Sequence, residues 1–281
     1  MKPLGENDRR ALLSLLADED EHVQELLHEQ FRAMGPDGCE FLESAARSAP
    51  APARQTAARM LAEIRERHSV SAFQVFCREA GSDLDLERAN WLLAKTRYPD
   101  LDEEPYLARL DQMAREIRGR LTGRETPRAT IEVCNHYLFQ MLDFRGNQQD
   151  YYDPDNSYLN RVLDRRLGIP ISLSVLYLLL AKRLGLPLFG VSMPRHFLLT
   201  WRSPDVAFFI DPFNAGRVLD AEDCRGICER IAGGFNEEHL MPVTSRKIFI
   251  RQCRNLQAIY AERDARRAAL LQEALRSLTD R

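Results

Sequence analysis

The chain has 281 residues, of which 44% are apolar and 29% charged, and its formal net charge is −3. This balance fits a soluble globular chain of about two domains at ~150 residues each. It excludes a global field that would draw the chain to nucleic acid or to an anionic membrane surface. The opening MKPLGENDRRALLSLLADED lacks the basic, apolar and small-residue succession of a signal peptide. The longest apolar segment is interrupted by Lys182 and Arg183, so no membrane span is expected and the cytoplasm is the expected location.

The first ~125 residues read as helices alone. DRRALLSLLADED is amphipathic, and EHVQELLHEQFRAMG repeats the helical period and stops at Gly35. GCEFLESAARSA and APARQTAARMLAEIRERH look like the same pair again, displaced by 30 residues. Val23, Leu27 and Phe31 then correspond to Ala53, Ala57 and Leu61, and Leu12 to Leu42. Two short HEAT-like hairpins offering a surface to a protein partner would give this pattern, and so would a plain helical bundle. Helices continue through SAFQVFCREA, LDLERANWLLAKTRY and EEPYLARLDQMAREIRGRLT, and GRETPRAT (123–130) is the linker candidate.

IEVCNHYLFQMLDF follows as an apolar helix. RGNQQDYYDPDNSYLN is then a long loop, dense in turn formers and aromatics, of the kind that often carries function. Tyr151, Tyr152 and Tyr158 read as packing residues before substrate contacts, and Arg165 and Arg166 as a solvated or ion-paired face. NSYLNRVLDRRLG closes as a short helix, and GIPISLSVLYLLLAKRLGLP is a helix apolar on nearly every side. The period then changes to two. LFGVSMPRHFLLTW reads as one strand, with Pro194 at its start or at a bulge, SPD as a turn and DVAFFIDPF as the next strand. DAEDCRGICERIAGG is a helix from about Asp220, and the tail is two helices broken near Asp264.

Three polar residues of this section form the candidate site. Ser172 opens the apolar helix, where free backbone N–H groups and the dipole favour an anion. His196 falls in the first strand and Asp211 at the end of the second, so a base and its orienting acid come to lie side by side. A triad places the Ser172 hydroxyl within ~3.5 Å of an imidazole nitrogen. Ser172 serves equally as a helix cap with no chemistry. Asn156, in the DPDNSY loop, is the candidate side-chain donor to an oxyanion.

Other constellations are weak. Cys224 and Cys228 share a helix face without a second ligand pair, and His22 and His28 have the wrong spacing for a one-face metal pair. RIAGGFNEE lacks the lysine of a phosphate loop. Neither a metal nor a cofactor is expected.

The stretch from RGNQQDYYDPDNSYLNRVLDRRLGIPISLSVLYLLLAKRLGLPLFGVSMPRHFLLTW to FFIDPFNAGRVL resembles the transglutaminase-like (papain-like) cysteine superfamily. It is similar within it to the bacterial SirB-one family, whose tetratricopeptide-type tail IFIRQCRNLQAIY matches. The resemblance implies an α+β fold, with a transglutaminase-like core of a central helix on an antiparallel sheet (128–242). A helical domain (1–125) precedes it and a helical hairpin (243–281) follows. It also implies that the catalytic cysteine of the superfamily falls on Ser172, its histidine on His196 and its aspartate on Asp211. A thiol ionises near pH 8.5 and can be drawn lower, whereas an alcohol stays protonated in the same field. The expectation is therefore a non-catalytic interaction or regulatory module. The alternative is a serine-dependent hydrolase or acyl transferase acting on an amide or ester.

Overall fold

A computed structural model describes residues 5–280, which fall into two compact units. The first holds residues 5–72 and 95–101, the second residues 73–94 and 102–280.

In the first unit, α1 (Glu6–Leu16), α2 (Glu21–Met34), α3 (Pro36–Ser48) and the part of α4 (Ala51–Glu79) up to Ala72 follow one another through short turns. The Asp20 carboxylate caps α2 by accepting from the His22 N–H at 2.8 Å, and Gly35 alone separates α2 from α3. The repeat-related positions Leu27, Phe31, Leu42, Ala53, Ala57 and Leu61 share one apolar core, flanked by Leu12 and Val23. SAFQVFCREA does not start a helix of its own, because α4 runs through it without a break; no proline or glycine stands there to stop it.

The second unit centres on α9 (Pro170–Leu184), which buries Pro170–Tyr177, Leu179, Leu180 and Ala181. Each large apolar side chain removed from water contributes about 1.5–3 kcal/mol, so this helix anchors the unit. Helices α5 (Leu86–Lys95), α6 (Glu104–Arg118), α7 (Pro127–Asn135) and α8 (Leu159–Arg165) precede it. A π-helical turn, His136–Met141, continues α7 where the sequence reads as plain α-helix. Two-residue strands, β1 (Arg145–Gly146) and β2 (Leu167–Gly168), pair in parallel before α9; segments so short carry no period to read.

A five-stranded antiparallel sheet follows, with β3 (Leu188–Val191), β4 (Leu198–Arg202), β5 (Ala207–Asp211), β6 (Arg217–Leu219) and β7 (Pro242–Val243) in the order β6-β5-β4-β3-β7. Val191, Leu198, Phe209 and Leu219 line one face with Cys224 and Cys228 of α10 (Ala221–Ala232). The alternate residues Leu199, Trp201, Phe208 and Ile210 take the other face, against which α9 packs. The stretch read as one strand, LFGVSMPRHFLLTW, is two. Pro194 has no N–H for a ladder and Arg195 adopts a left-handed φ of 55°, so the chain reverses between β3 and β4. His196 consequently lies in the turn before β4, outside the strand. The chain ends in the antiparallel pair α11 (Ser245–Tyr260) and α12 (Ala265–Thr279), with Asp264 capping α12.

The turn between β5 and β6 is tied back to α9 through Asn135. Tyr177 donates to Asn135 Oδ1 at 3.1 Å, and Asn135 Nδ2 donates to the Gly216 carbonyl at 2.7 Å. Gly216 has a φ of 72°, and a Cβ there would stand 2.2 Å from Asn135 Oδ1. Gly216→Ala therefore combines backbone strain with a clash that breaks this tie. It is expected to cost about 2–4 kcal/mol, read as a lower urea midpoint; an unchanged midpoint would show that the tie carries no stability.

Candidate functional site

The turn Ser192–Phe197 presents the imidazole. The His196 backbone N–H donates to the Met193 carbonyl at 3.3 Å, and the left-handed Arg195 turns the next side chain towards the end of β5. There His196 Nε2 meets Asp211 Oδ2 at 2.8 Å. Asp211 opens a tight 3₁₀ turn, Pro212–Asn214. Its Oδ1 accepts from the N–H groups of Phe213 (3.1 Å) and Asn214 (3.3 Å), and its Oδ2 also accepts from Asn214 Nδ2 (2.8 Å).

Burial by itself would raise the Asp211 carboxyl. The hydrogen bond and charge of His196, with the Asn214 donors, outweigh it and hold the group below the usual carboxylate range. A carboxylate only accepts, so Nε2 carries the proton towards it, and a neutral ring presents a lone pair at Nδ1. Nδ1 has no protein partner among the described residues, and about a tenth of the side chain is exposed (10%). The Phe213 ring stands edge-on to the imidazole at 6.3 Å.

Ser172 stands in the first turn of α9, and its hydroxyl is engaged by the main chain. Oγ accepts from the Ile169 N–H at 3.0 Å and donates to the Asn156 carbonyl at 2.5 Å; the Ile169 carbonyl lies at 3.2 Å. This is half of a capping box, with the side chain at the third helical position satisfying the cap N–H. No hydrogen bond among the described residues joins Ser172 to His196.

Asn156 is wholly buried. Its Nδ2 donates to the carbonyls of Asp150 (2.7 Å) and Tyr151 (3.2 Å), and its Oδ1 accepts from Asn147 Nδ2 at 3.0 Å. Both amide protons thus hold the loop, leaving neither to meet an oxyanion. The structure brings the four residues together as two pairs, His196 with Asp211 and Ser172 with Asn156.

The sequence reading missed Asn214 and Asn147. Asn214 had a signal, since an asparagine three residues after an aspartate in IDPFN suits an Asx turn; Asn147, paired across the loop, had none. Of the tyrosines, Tyr158 is buried with its hydroxyl 2.9 Å from that of Tyr260, and Tyr152 is exposed. Arg165 pairs with Asp153 at 2.6 Å. Burial pushes the Cys224 thiol up to about 12, which keeps it protonated at neutral pH. Among the described residues, no group of three or more His, Cys, Asp or Glu side chains gathers where a metal ion would be held, and no helix is long and apolar enough to cross a membrane.

A family model described as the transglutaminase-like superfamily matches residues 104–254. The UPF0162 protein of Xylella fastidiosa (strain Temecula1) is 41% identical over 179 residues, 62% of this chain and 64% of that protein. The UPF0162 protein of Pseudomonas aeruginosa is 32% identical over 189 residues, 66% of this chain and 67% of its own length. Human F-box only protein 21 is 42% identical over 102 residues, 34% of this chain and 16% of that protein. The chain thus spans a little under two thirds of the Xylella relative. No solved structure matches it.

The lowered Asp211 value fixes a sign. A carboxylate with a depressed folded pKa stabilises the fold above its unfolded value of ~3.9 and loses that contribution as pH falls through the folded value. Wild type is expected to exceed Asp211→Asn by about 1.5–3 kcal/mol at pH 7. The gap should close as the pH drops below ~4. Urea midpoints at descending pH check this, and parallel profiles for the two proteins would contradict it.

Proposed function

We propose, for a chain that belongs to the transglutaminase-like superfamily, a non-catalytic role as a protein-interaction or regulatory module. The observation that supports this reading is the Ser172 hydroxyl, whose single proton goes to the Asn156 carbonyl. A nucleophilic alcohol must give that proton to a base in the transition state, and His196 is not its partner. Five buried cysteines, Cys77, Cys134, Cys224, Cys228 and Cys253, have thiol pKa values raised by burial, so none of them offers a standing thiolate in place of the missing nucleophile. Within the superfamily we assign the chain to the SirB-one group, on GIPISL, PRHF and IDPF, with α11 and α12 as its tetratricopeptide-type tail. The helical hairpins of the first unit are the proposed surface for a protein partner, and the His196–Asp211 pair is a second proposed binding element.

The rival reading is a hydrolase or acyl transferase of amides or esters that uses Ser172, His196 and Asp211. The intact imidazole–carboxylate pair favours it. A fluorophosphonate probe separates the two. The proposal expects no labelling of Ser172 and identical traces for wild type and Ser172→Ala; labelling that disappears in Ser172→Ala would overturn it. The same variant leaves a buried N–H and a buried carbonyl without partners. It is expected to lose about 1–3 kcal/mol of stability, measured as a shift of the denaturant midpoint.

A further inference from the structure

A cation without a carboxylate stands beside His196. Arg251, on the second turn of α11, places Nη1 against Ser192 Oγ (2.8 Å) and the Met193 carbonyl (2.5 Å), and its guanidinium carbon lies 5.7 Å over the Phe197 ring. The Met193 carbonyl is the one that also accepts the His196 N–H. Arg251 and the His196 backbone N–H therefore share one acceptor in the 192–197 turn. An aromatic wall closes the circle, with Tyr151 edge-on to Phe213 at 6.1 Å and Phe213 edge-on to His196 at 6.3 Å.

Both protons of Nη1 are engaged. Nε and Nη2 have no acceptor among the described residues and are not enclosed. Arg183, also largely withdrawn from water, faces Glu87 and Asp111; Arg251 faces no acid. Burial pushes its pKa down, against the opposing influence of the Tyr151 phenol. Holding a partly buried guanidinium without a counter-charge is costly. A ligand anion would supply that charge, and three free donors in a rigid planar fork match a carboxylate.

We propose that Arg251 binds a carboxylate of a peptide ligand at the 192–197 turn, beside His196. The inference rests on the reading of the His196–Asp211 pair as a binding element and names the chemistry selected beside it. A single guanidinium carries one positive charge and matches a monoanion, whereas a phosphate dianion brings a second negative charge that it does not meet. Two peptide groups have this chemistry, the terminal carboxylate and an acidic side chain.

The test titrates the full chain with acetyl-Ala-Ala-Ala-Ala bearing a free carboxylate, with the same peptide as its carboxamide, and with acetyl-Ala-Glu-Ala-Ala carboxamide. The readouts are the NMR signals of the His196 ring and the Arg251 Nε–H group. At least one of the two anionic peptides should give saturable shifts, and which one does so identifies the source of the carboxylate. The neutral peptide should give none. Arg251→Gln should weaken binding at least ~10-fold, and Arg251→Lys by less, since it keeps the charge and loses the fork. Equal binding of the neutral peptide, no saturable shift with any peptide, or undiminished binding to Arg251→Gln would overturn the proposal. Should Arg251→Gln not fold, Arg251→Lys and the charged-against-neutral comparison on wild type decide the matter. Fluorophosphonate labelling of the same samples reports on Ser172 independently, so failure of the anion site and failure of the non-catalytic reading are told apart.

Discussion

The start of α9 is buried, and burial obliges every polar group there to find a partner. A hydroxyl has one proton to give and lone pairs to receive with. Ser172 gives its proton to the carbonyl of a loop that precedes it in the chain and receives the N–H that opens its own helix. These bonds join the DPDNSY loop to the central helix. The loop is held from its other side by the Asn156–Asn147 contact and by two further main-chain carbonyls. The helix end and the loop are thus one polar unit inside an apolar surround, where each unmade bond would carry a full desolvation penalty.

The imidazole–carboxylate pair is built by a different part of the chain. Its geometry comes from two tight turns at one end of the sheet, the 192–197 reversal and the 3₁₀ turn after β5. Each turn engages the main chain of its own residues; the 192–197 turn is also held by Arg251 of α11, and the chain just after the 3₁₀ turn is tied to α9 through Asn135 and Tyr177. Two polar clusters result, with no hydrogen bond between Ser172 and His196 among the described residues. The hydrogen bonds that hold the imidazole and its carboxylate do not pass through Ser172.

Much of this was legible beforehand. The apolar run from Gly168 to Pro187 marks a central helix, and the caps Asp20, Asp220 and Asp264 stand where the sequence places helix starts. His196 and Asp211 come together as their positions in neighbouring segments suggest. The sheet was less legible. The proline and the left-handed arginine of SMPRHF turn one apparent strand into two, and period-two alternation runs across such a reversal unmarked. β1 and β2, at two residues each, lie below the length at which any period exists. The engagement of Ser172 was invisible because its main acceptor is a backbone carbonyl, and a carbonyl belongs to every residue alike. Asn156 was read for its amide; the structure uses that amide on its own loop and its carbonyl on Ser172.

Gly168 bears on what residue 172 can become. A Cβ at position 168 would approach Ser172 Oγ to 2.8 Å and the Leu173 side chain to 2.9 Å, so the bare glycine backbone forms one wall of the seat in which that oxygen rests. The seat is cut to the size of a small, hard atom with short bonds. Sulfur, with its longer bond to carbon and larger radius, would press on this wall and stretch both main-chain contacts. Placing a thiol at the helix entrance would therefore require neighbours that yield, and it would loosen the loop that the oxygen now fastens.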